Sequence, residues 1–589
     1  MTLFTTNNLK KTLIVLLVLV SIFFRVISIP HTNYDMTAHN VPWYLYLDDQ
    51  GIARALGTEF ADYTPPYTYF LALATFTRDW IPPLTAIKII PMCFDVLGAF
   101  LVCKIVKLKF KQGNTPILAA ALYFAAPTVF LNSANWGQAD SLYTAFLLIC
   151  LYLVMVEKPF PAMLSLGAAF SIKAQSTFFL PFLAILAMQK KIPWLYFSMM
   201  PLVYLIAIMP VVLLGRPFLE ALLIYKDQSI AYDRLSMLSP NAYILIPNEW
   251  YSWLTPVGIL GTALLLAYWV YSTAKSGIEF EQKHIVLIAF LSVALTPFLL
   301  PKMHDRYFYP ADVLSIVLAF YWPSLWFVPI LYQLASASAI SIFLFDTNPS
   351  YVVFGFLFNA IALASVLRTQ RLAENRSQMN RRITMPLSLL ATLLAPVILF
   401  GLGINLALTP AFVRLQYALP HTSGAQYDMD KSERFQLAST AIQYLTSDKK
   451  SQYLGRFVRK DGIPAFDEQD ISNVDNIKQS VQKIFKAWHI SLAAVFILGL
   501  FAWVGDWLPA FRRGARRGGW LSVAAMTALG IASILFSIFD PADYYQTSSI
   551  LAELFPKDFW QSAFLFILLS LGAGGFLLTR ISPGFENEM

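Results

Sequence analysis

Lys10-Lys11-Thr-Leu-Ile-Val-Leu-Leu-Val-Leu-Val-Ser-Ile-Phe-Phe-Arg25-Val-Ile-Ser-Ile-Pro30-His-Thr-Asn-Tyr-Asp35 is a pair of cations, an apolar run and a polar segment, in that order. The run, at about residues 12–29, has the length a helix needs to cross a ~30 Å hydrocarbon layer. Cytoplasmic loops carry an excess of Lys and Arg, so Lys10 and Lys11 set the start of the chain inside and the loop from His31 to Pro65 outside. Arg25 lies within the run and no small-x-small cleavage site follows it, so the segment reads as an anchor rather than a cleaved signal peptide.

The pattern continues to the other end. Hydrophobic residues make up 57% of the 589 and charged residues only 13%, a composition whose natural solvent is lipid. About sixteen apolar runs of roughly 17–25 residues can be read, none with the alternation of barrel strands, and backbone polar groups in lipid must be satisfied internally. The expected fold is therefore an all-α polytopic membrane protein, a multi-pass chain of a bacterial cytoplasmic membrane. A span at about 84–107 returns the chain to the inside, where Lys104, Lys107, Lys109 and Lys111 fall. Lys190 and Lys191, Lys275 and Lys283, the Arg368–Arg382 cluster and Arg512, Arg513, Arg516 and Arg517 then also land inside. These short clusters account for the net charge of +8 without a nucleic-acid stripe. Cys93, Cys103 and Cys150 sit in or beside apolar runs and indicate neither disulfides nor a thiolate metal site.

With that orientation the polar motifs gather on the outer side: Asn33-Tyr34-Asp35-Met36, Asp62-Tyr63-Thr64-Pro65-Pro66-Tyr67, Trp136-Gly137-Gln138-Ala139-Asp140, Lys173-Ala174-Gln175, Asn241 in its loop, and Lys302-Met303-His304-Asp305-Arg306-Tyr307. A span over Pro161–Ser176 would put Lys173 and Gln175 near its outer end, where a charge needs a wet cavity or an anion. Displacing a lipid phosphate from a sugar requires a base for the acceptor hydroxyl and cations for the leaving phosphate. Asp35, immediately after the first span, is the best candidate base; the plainer reading is a solvated loop aspartate. Lys173, His304 and Arg306 are candidates for the phosphate, against interfacial snorkelling for a lone cation. Asp62, Tyr63, Trp136, Gln138, Asp140 and Asn241 are candidates for contact with sugar or acceptor, although Asp62 and Asp140 also suit a turn or a helix start, and Trp and Tyr suit an interfacial belt. The carboxylates Asp35, Asp62 and Asp140 include no short-spaced pair for a divalent cation, so no metal or other cofactor is expected.

This motif series, with His304-Asp-Arg306-Tyr-Phe-Tyr-Pro310 at its end, resembles that of the Gpi18-like mannosyltransferases, of the C-type (GT-C) membrane glycosyltransferase superfamily, over about residues 1–370. The resemblance implies a polyprenyl-phosphate-linked sugar as donor, mannose or a similar hexose, transfer to an acceptor hydroxyl on the non-cytoplasmic side with inversion, and Gln175 joining Lys173 on the donor. The family usually shows Asp-Tyr-Pro-Pro where this chain has Asp62-Tyr63-Thr64-Pro65-Pro66. The acceptor, a glycan, lipid or protein, is not implied. The competing reading is a transporter or flippase of lipid-linked sugars, which usually places ionisable sites near the midplane and shows repeats.

Beyond a basic cytoplasmic linker at 371–384, residues 385–589 read as a four-span membrane domain, with spans near 385–407, 487–507, 520–538 and 559–580 and an outer segment at about 408–486. Phe435, Leu437, Ala441, Ile442 and Leu445, then Val474, Ile477, Val481 and Ile484, recur at helical spacing, predicting two amphipathic helices. This part resembles the four-span family that includes lipoprotein intramolecular transacylases, on Gly462-Ile-Pro-Ala-Phe466, Asp467-Glu-Gln-Asp-Ile471, Val474-Asp-Asn-Ile-Lys478, Leu535-Phe-Ser-Ile-Phe539 and Leu551-Ala-Glu-Leu-Phe-Pro556. Asn473 and Ser537 stand where that family has histidines, so the domain is expected to be catalytically silent.

Overall fold

A computed structural model describes residues 6–376, 378–418, 429–447, 449, 451–459, 462–536 and 550–582. The chain is an all-α, multi-pass membrane protein divided into two compact units, Met1–Arg376 and Ser377–Met589. Its one β-ladder among the described residues pairs Ser236–Met237 with Met303–His304.

Among the described residues, ten helices are long and apolar enough to cross a membrane, or eleven with one bent pair counted as a span. This corrects the sixteen runs read from the sequence. Several apolar runs fold instead as shorter helices: Asp140–Met155, Pro159–Ile172, Ala174–Met188 and Tyr309–Tyr321. A 16-residue helix such as Asp140–Met155 is only about 24 Å long, too short for a ~30 Å layer. Its residues are mostly buried, so its apolarity serves packing against protein rather than lipid.

In the first unit, the Thr6–Ser28 helix packs on Thr115–Phe124, and the long Pro83–Lys109 helix packs on Thr115–Phe124 and Asp140–Met155. Between Phe124 and Pro127 the apolar run bends by 48°. It then widens into a π-helical turn, Leu131–Trp136, that ends at Gly137. Gly137 has a left-handed φ of 77°, and a Cβ there would strike the Met36 side chain. The predicted span over 161–176 breaks where Lys173 takes an extended conformation (φ −154°, ψ 133°) between Pro159–Ile172 and a short 3₁₀ turn. The helix Tyr351–Ala373 runs three residues past the expected boundary at 370.

In the second unit the helices Arg381–Ala407, Glu468–Val504, Leu508–Phe536 and Lys557–Thr579 are joined by shorter helices over Pro410–Ala418 and Lys431–Thr446. The predicted amphipathic stretch after Asp467 continues without a break into the following span, giving one helix of 37 residues. Asp467 starts it through a capping box: its carboxylate accepts from the Asp470 N–H, and the Asp470 side chain accepts in return. Leu437, Ala441, Ile442 and Leu445 meet Val474, Leu551, Leu554 and Phe555 in one apolar cluster. Small residues let the helices approach closely: Gly514 lies against Ser388, Gly518 against Thr392, and Gly519 against Gly575. Asn473 is exposed on the long helix, whereas Ser537 lies outside the described residues.

Candidate active site

Asp35 stands at the start of a π-helical turn, Met36–Asn40, seven residues after the first membrane helix ends at Ser28. Two braces fix its approach. Lys88, fully buried, donates to the carbonyls of Ser28, Ile29 and His31 at 3.2, 3.1 and 2.5 Å, occupying the backbone acceptors that a helix C-terminus leaves open. Asn33 donates to the carbonyls of Asn135 and Trp136 at 3.3 and 3.2 Å and accepts from the Met36 N–H. The segment after the first membrane helix is thereby tied to the Trp136-Gly-Gln-Ala-Asp140 motif.

The Asp35 carboxylate faces that motif. Its Oδ2 accepts from Trp136 Nε1 at 2.8 Å and from Gln138 Nε2 at 2.6 Å, while among the described residues its Oδ1 carries no hydrogen bond. The side chain is 21% exposed, so the carboxylate is not sealed from its surroundings. Gln138 accepts in turn from the Tyr63 hydroxyl at 3.0 Å. Tyr63 is placed by the turn before the Pro65–Thr75 helix, where Thr64 is extended as a residue before proline must be, and Thr64 Oγ1 donates to Ile172 O at 2.9 Å.

Asp140, fully buried at the start of its helix, is the second carboxylate. It accepts from Lys173 Nζ at 2.5 Å and from Asn132 Nδ2 at 2.9 Å. Arg306 lies between the two acids, its Nη1 4.0 Å from Asp35 Oδ2 and its Nε 3.8 Å from Asp140 Oδ2. That Nε is buried without a hydrogen-bond partner, and the guanidinium sits 5.2 Å from the Trp136 ring, which stacks on Phe343. Arg306 is thus near two carboxylates and hydrogen-bonded through Nε to neither, a cation with a donor in reserve.

Burial, then Arg306 and Lys173, push the His304 imidazole down to about 3, which favours its neutral form, so at this position it offers a hydrogen bond rather than a charge. Asp305 moves the other way: burial, opposed by Arg306 and reinforced by Asp35 and Asp140, raises its carboxyl to about 7. Gln175 lies against the Tyr307 hydroxyl, with its own Oε1 buried and unpartnered.

Two candidate ligands stand apart. Asp62 is exposed and, among the described residues, its carboxylate joins none of these contacts; only its carbonyl accepts, from Gln228. Asn241 is fully buried with both ends of its amide engaged by backbone: it donates to Pro297 O and Leu300 O and accepts from the Tyr243 N–H. That amide holds a loop on the end of the Gln282–Leu299 helix rather than facing Asp35. Lys88 and Asn132 escaped the sequence reading, and Asn33 entered it only as part of its motif, with no role. A lysine inside an apolar run was the available signal for Lys88; nothing in the sequence distinguishes the two asparagines. Among the described residues no group of three His, Cys, Asp or Glu side chains is arranged to hold a metal ion.

No family model matches the chain, and no solved structure matches it. It is similar to an uncharacterized protein of Aquifex aeolicus (strain VF5), 25% identical over 190 residues that cover 31% of this chain and 87% of that protein.

Proposed function

We propose that the first unit is a GT-C-type glycosyltransferase, transferring a sugar, mannose or a similar hexose, from a polyprenyl-phosphate donor to an acceptor hydroxyl at the non-cytoplasmic face of a bacterial cytoplasmic membrane. The observation that carries this reading is the Asp35 carboxylate, with one oxygen fixed by Trp136 and Gln138, the other free, and the Arg306 guanidinium 4.0 Å away. A positioned base beside an always-charged cation is what inverting transfer from a phosphate needs. Asp35 Oδ1 would take the proton of the acceptor hydroxyl as the hydroxyl oxygen bonds to the anomeric carbon. The bond from that carbon to the phosphate oxygen breaks on the opposite face, and the electron pair leaves with the phosphate.

Arg306 would receive the developing phosphate charge by a bidentate contact. Lys173 is already paired with Asp140 and contributes by holding that acid in place. His304 and Gln175 would donate neutral hydrogen bonds to phosphate or sugar, and Tyr63, whose own proton goes to Gln138, would accept one; Trp136, fully buried against Phe343 and Arg306, serves by orienting Asp35. The likeness of the motif series to the Gpi18-like mannosyltransferases supports the hexose class and the lipid donor. In this reading Arg306 supplies the cation for the leaving phosphate and no metal is invoked.

The transporter reading has one observation in its favour, the charged pair Arg25–Asp95 buried within membrane helices. Mass spectrometry of lipid-linked intermediates in a deletion strain separates the two. Accumulation of the charged donor together with an unextended acceptor supports transfer. A complete glycan stranded on its lipid carrier supports transport and overturns the enzyme.

A further inference from the structure

We infer that Arg25, Asp95 and Ser133 form an intramembrane brace that positions the π-helical turn carrying Trp136 and Asn132, and hence both carboxylates of the candidate site. The inference rests on the proposed glycosyl transfer for its kinetic consequence, but not for its structural one.

The brace begins at a break in a helix. In a continuous α-helix the Phe124 carbonyl would accept from the Thr128 N–H. Pro127 has no N–H to offer and the chain bends by 48° here. The Thr128 N–H turns instead to Gln333 Oε1 at 3.0 Å, which leaves the Phe124 carbonyl open. Arg25 Nη1 donates to that carbonyl at 2.8 Å and Ser21 Oγ at 2.6 Å, both from the first membrane helix. The Arg25 guanidinium lies 3.9 Å from the Phe124 ring centroid.

The same guanidinium reaches further. Its Nη2 donates to Asp95 Oδ2 at 2.8 Å, with Arg25 only 7% exposed and Asp95 not at all. That Oδ2 also accepts from Ser133 Oγ at 2.5 Å, the shorter of the two contacts of that hydroxyl, the other being the Val129 carbonyl at 3.0 Å. Ser133 lies in the Leu131–Trp136 turn, one residue after Asn132, which donates to Asp140, and three before Trp136, which donates to Asp35. Three elements that supply the site, the first helix, the Pro83–Lys109 helix and the turn, thus meet at one carboxylate oxygen. Helix repair alone would use Arg25 and Ser21; it does not call for Asp95 or for the link to Ser133. None of the three residues touches the place where substrate would lie, so they are positioning residues.

Two variants separate positioning from mere stability. Ser133→Ala cuts the link and leaves the ion pair in place. The double variant Arg25→Met/Asp95→Leu removes both charges together, which avoids stranding one of them and is often neutral or stabilising. Hydrogen exchange of the full chain in lipid nanodiscs, followed over 131–140, is expected to speed up at least about tenfold in both. With a polyprenyl-phosphate hexose as donor, kcat is expected to fall about tenfold to a hundredfold while the donor KM and the melting temperature hold. Unchanged exchange over 131–140 in both variants overturns the brace whatever the protein's activity. Faster exchange with kcat unchanged shows that the turn is held but not for catalysis, and overturns the positioning role. If the parent protein transfers no hexose at all, the proposed function fails, and the exchange rates alone decide the brace.

Discussion

Trp136 Nε1 donates a 2.8 Å hydrogen bond to Asp35 Oδ2 across 101 residues of chain. The bond fixes the orientation of the carboxylate, because Gln138 approaches the same oxygen and leaves the other unengaged. A base held in this way loses its chemistry, but not its shape, when the free oxygen becomes an amide.

Asp35→Asn is therefore expected to fold and to bind donor while losing about 10²–10⁴ of its transfer rate, the usual scale for removal of a general base. Single-turnover transfer by the purified variant measures it. A parental rate would pass the role of base from Asp35 to another carboxylate.

Arg306 and Lys173 should differ, although both are cations beside Asp140. Arg306→Ala should weaken binding of a sugar-free polyprenyl phosphate by about tenfold or more, with little loss of stability. Lys173→Ala leaves Asp140 buried without its closest partner and should destabilise the protein by about 3–5 kcal/mol, a loss that Asp140→Asn in the same chain should largely restore. Lipid-phosphate titration and thermal melting of the three variants distinguish the two roles. Equal phosphate affinity in Arg306→Ala and the parent would remove Arg306 from the donor site.

The Asp305 carboxyl, raised to about 7 chiefly by burial, makes a pH prediction. A carboxyl raised on folding gives stability that is fully present below its unfolded value of about 3.9 and is lost as pH rises through the folded value. Asp305→Asn should then melt close to the parent near pH 4 and a few degrees above it near pH 8. A variant that melts below the parent at the higher pH would mean that the charged form of Asp305 is the stabilising one.

Sidedness is best tested at an exposed position. Residues Asn135, Trp136 and Gln138 are buried, so a thiol there would react poorly from either side. Tyr34, next to the candidate base, is 68% exposed. Tyr34→Cys, with exposed Cys93 replaced by serine, should label with an impermeant thiol reagent in intact cells. Labelling only after permeabilisation would reverse the orientation and remove the lipid-donor argument.

The sequence made some of this legible because charge and apolar length are local properties. Lys10 and Lys11 before an apolar run announce the first helix, and the run over 84–107 becomes Pro83–Lys109. Hydropathy cannot tell lipid from protein interior, so Asp140–Met155 and Pro159–Ile172 read as spans although they are short helices largely buried in the protein. Motif order brought Asp35, Gln138, Lys173 and Arg306 to one list, but not the division of labour among them, which depends on distances across a hundred residues and more. Asn241 shows the limit: an outer polar residue between helices reads as a ligand, and only its contacts with Pro297, Leu300 and Tyr243 reveal a loop clamp. Lys88 and Asp95 were hidden by the apolar residues around them.

The uninterrupted helix Glu468–Val504 has 37 residues, and at 1.5 Å each it is about 55 Å long, nearly twice the thickness of the hydrocarbon layer. Whatever its N-terminal half touches is carried on a rigid mast stepped in the bilayer. A change of tilt within the lipid, such as a thicker or thinner membrane imposes, is converted by that lever into a sideways sweep of Asp475 and Lys478, so bilayer composition has a direct mechanical route to the polar segment above it.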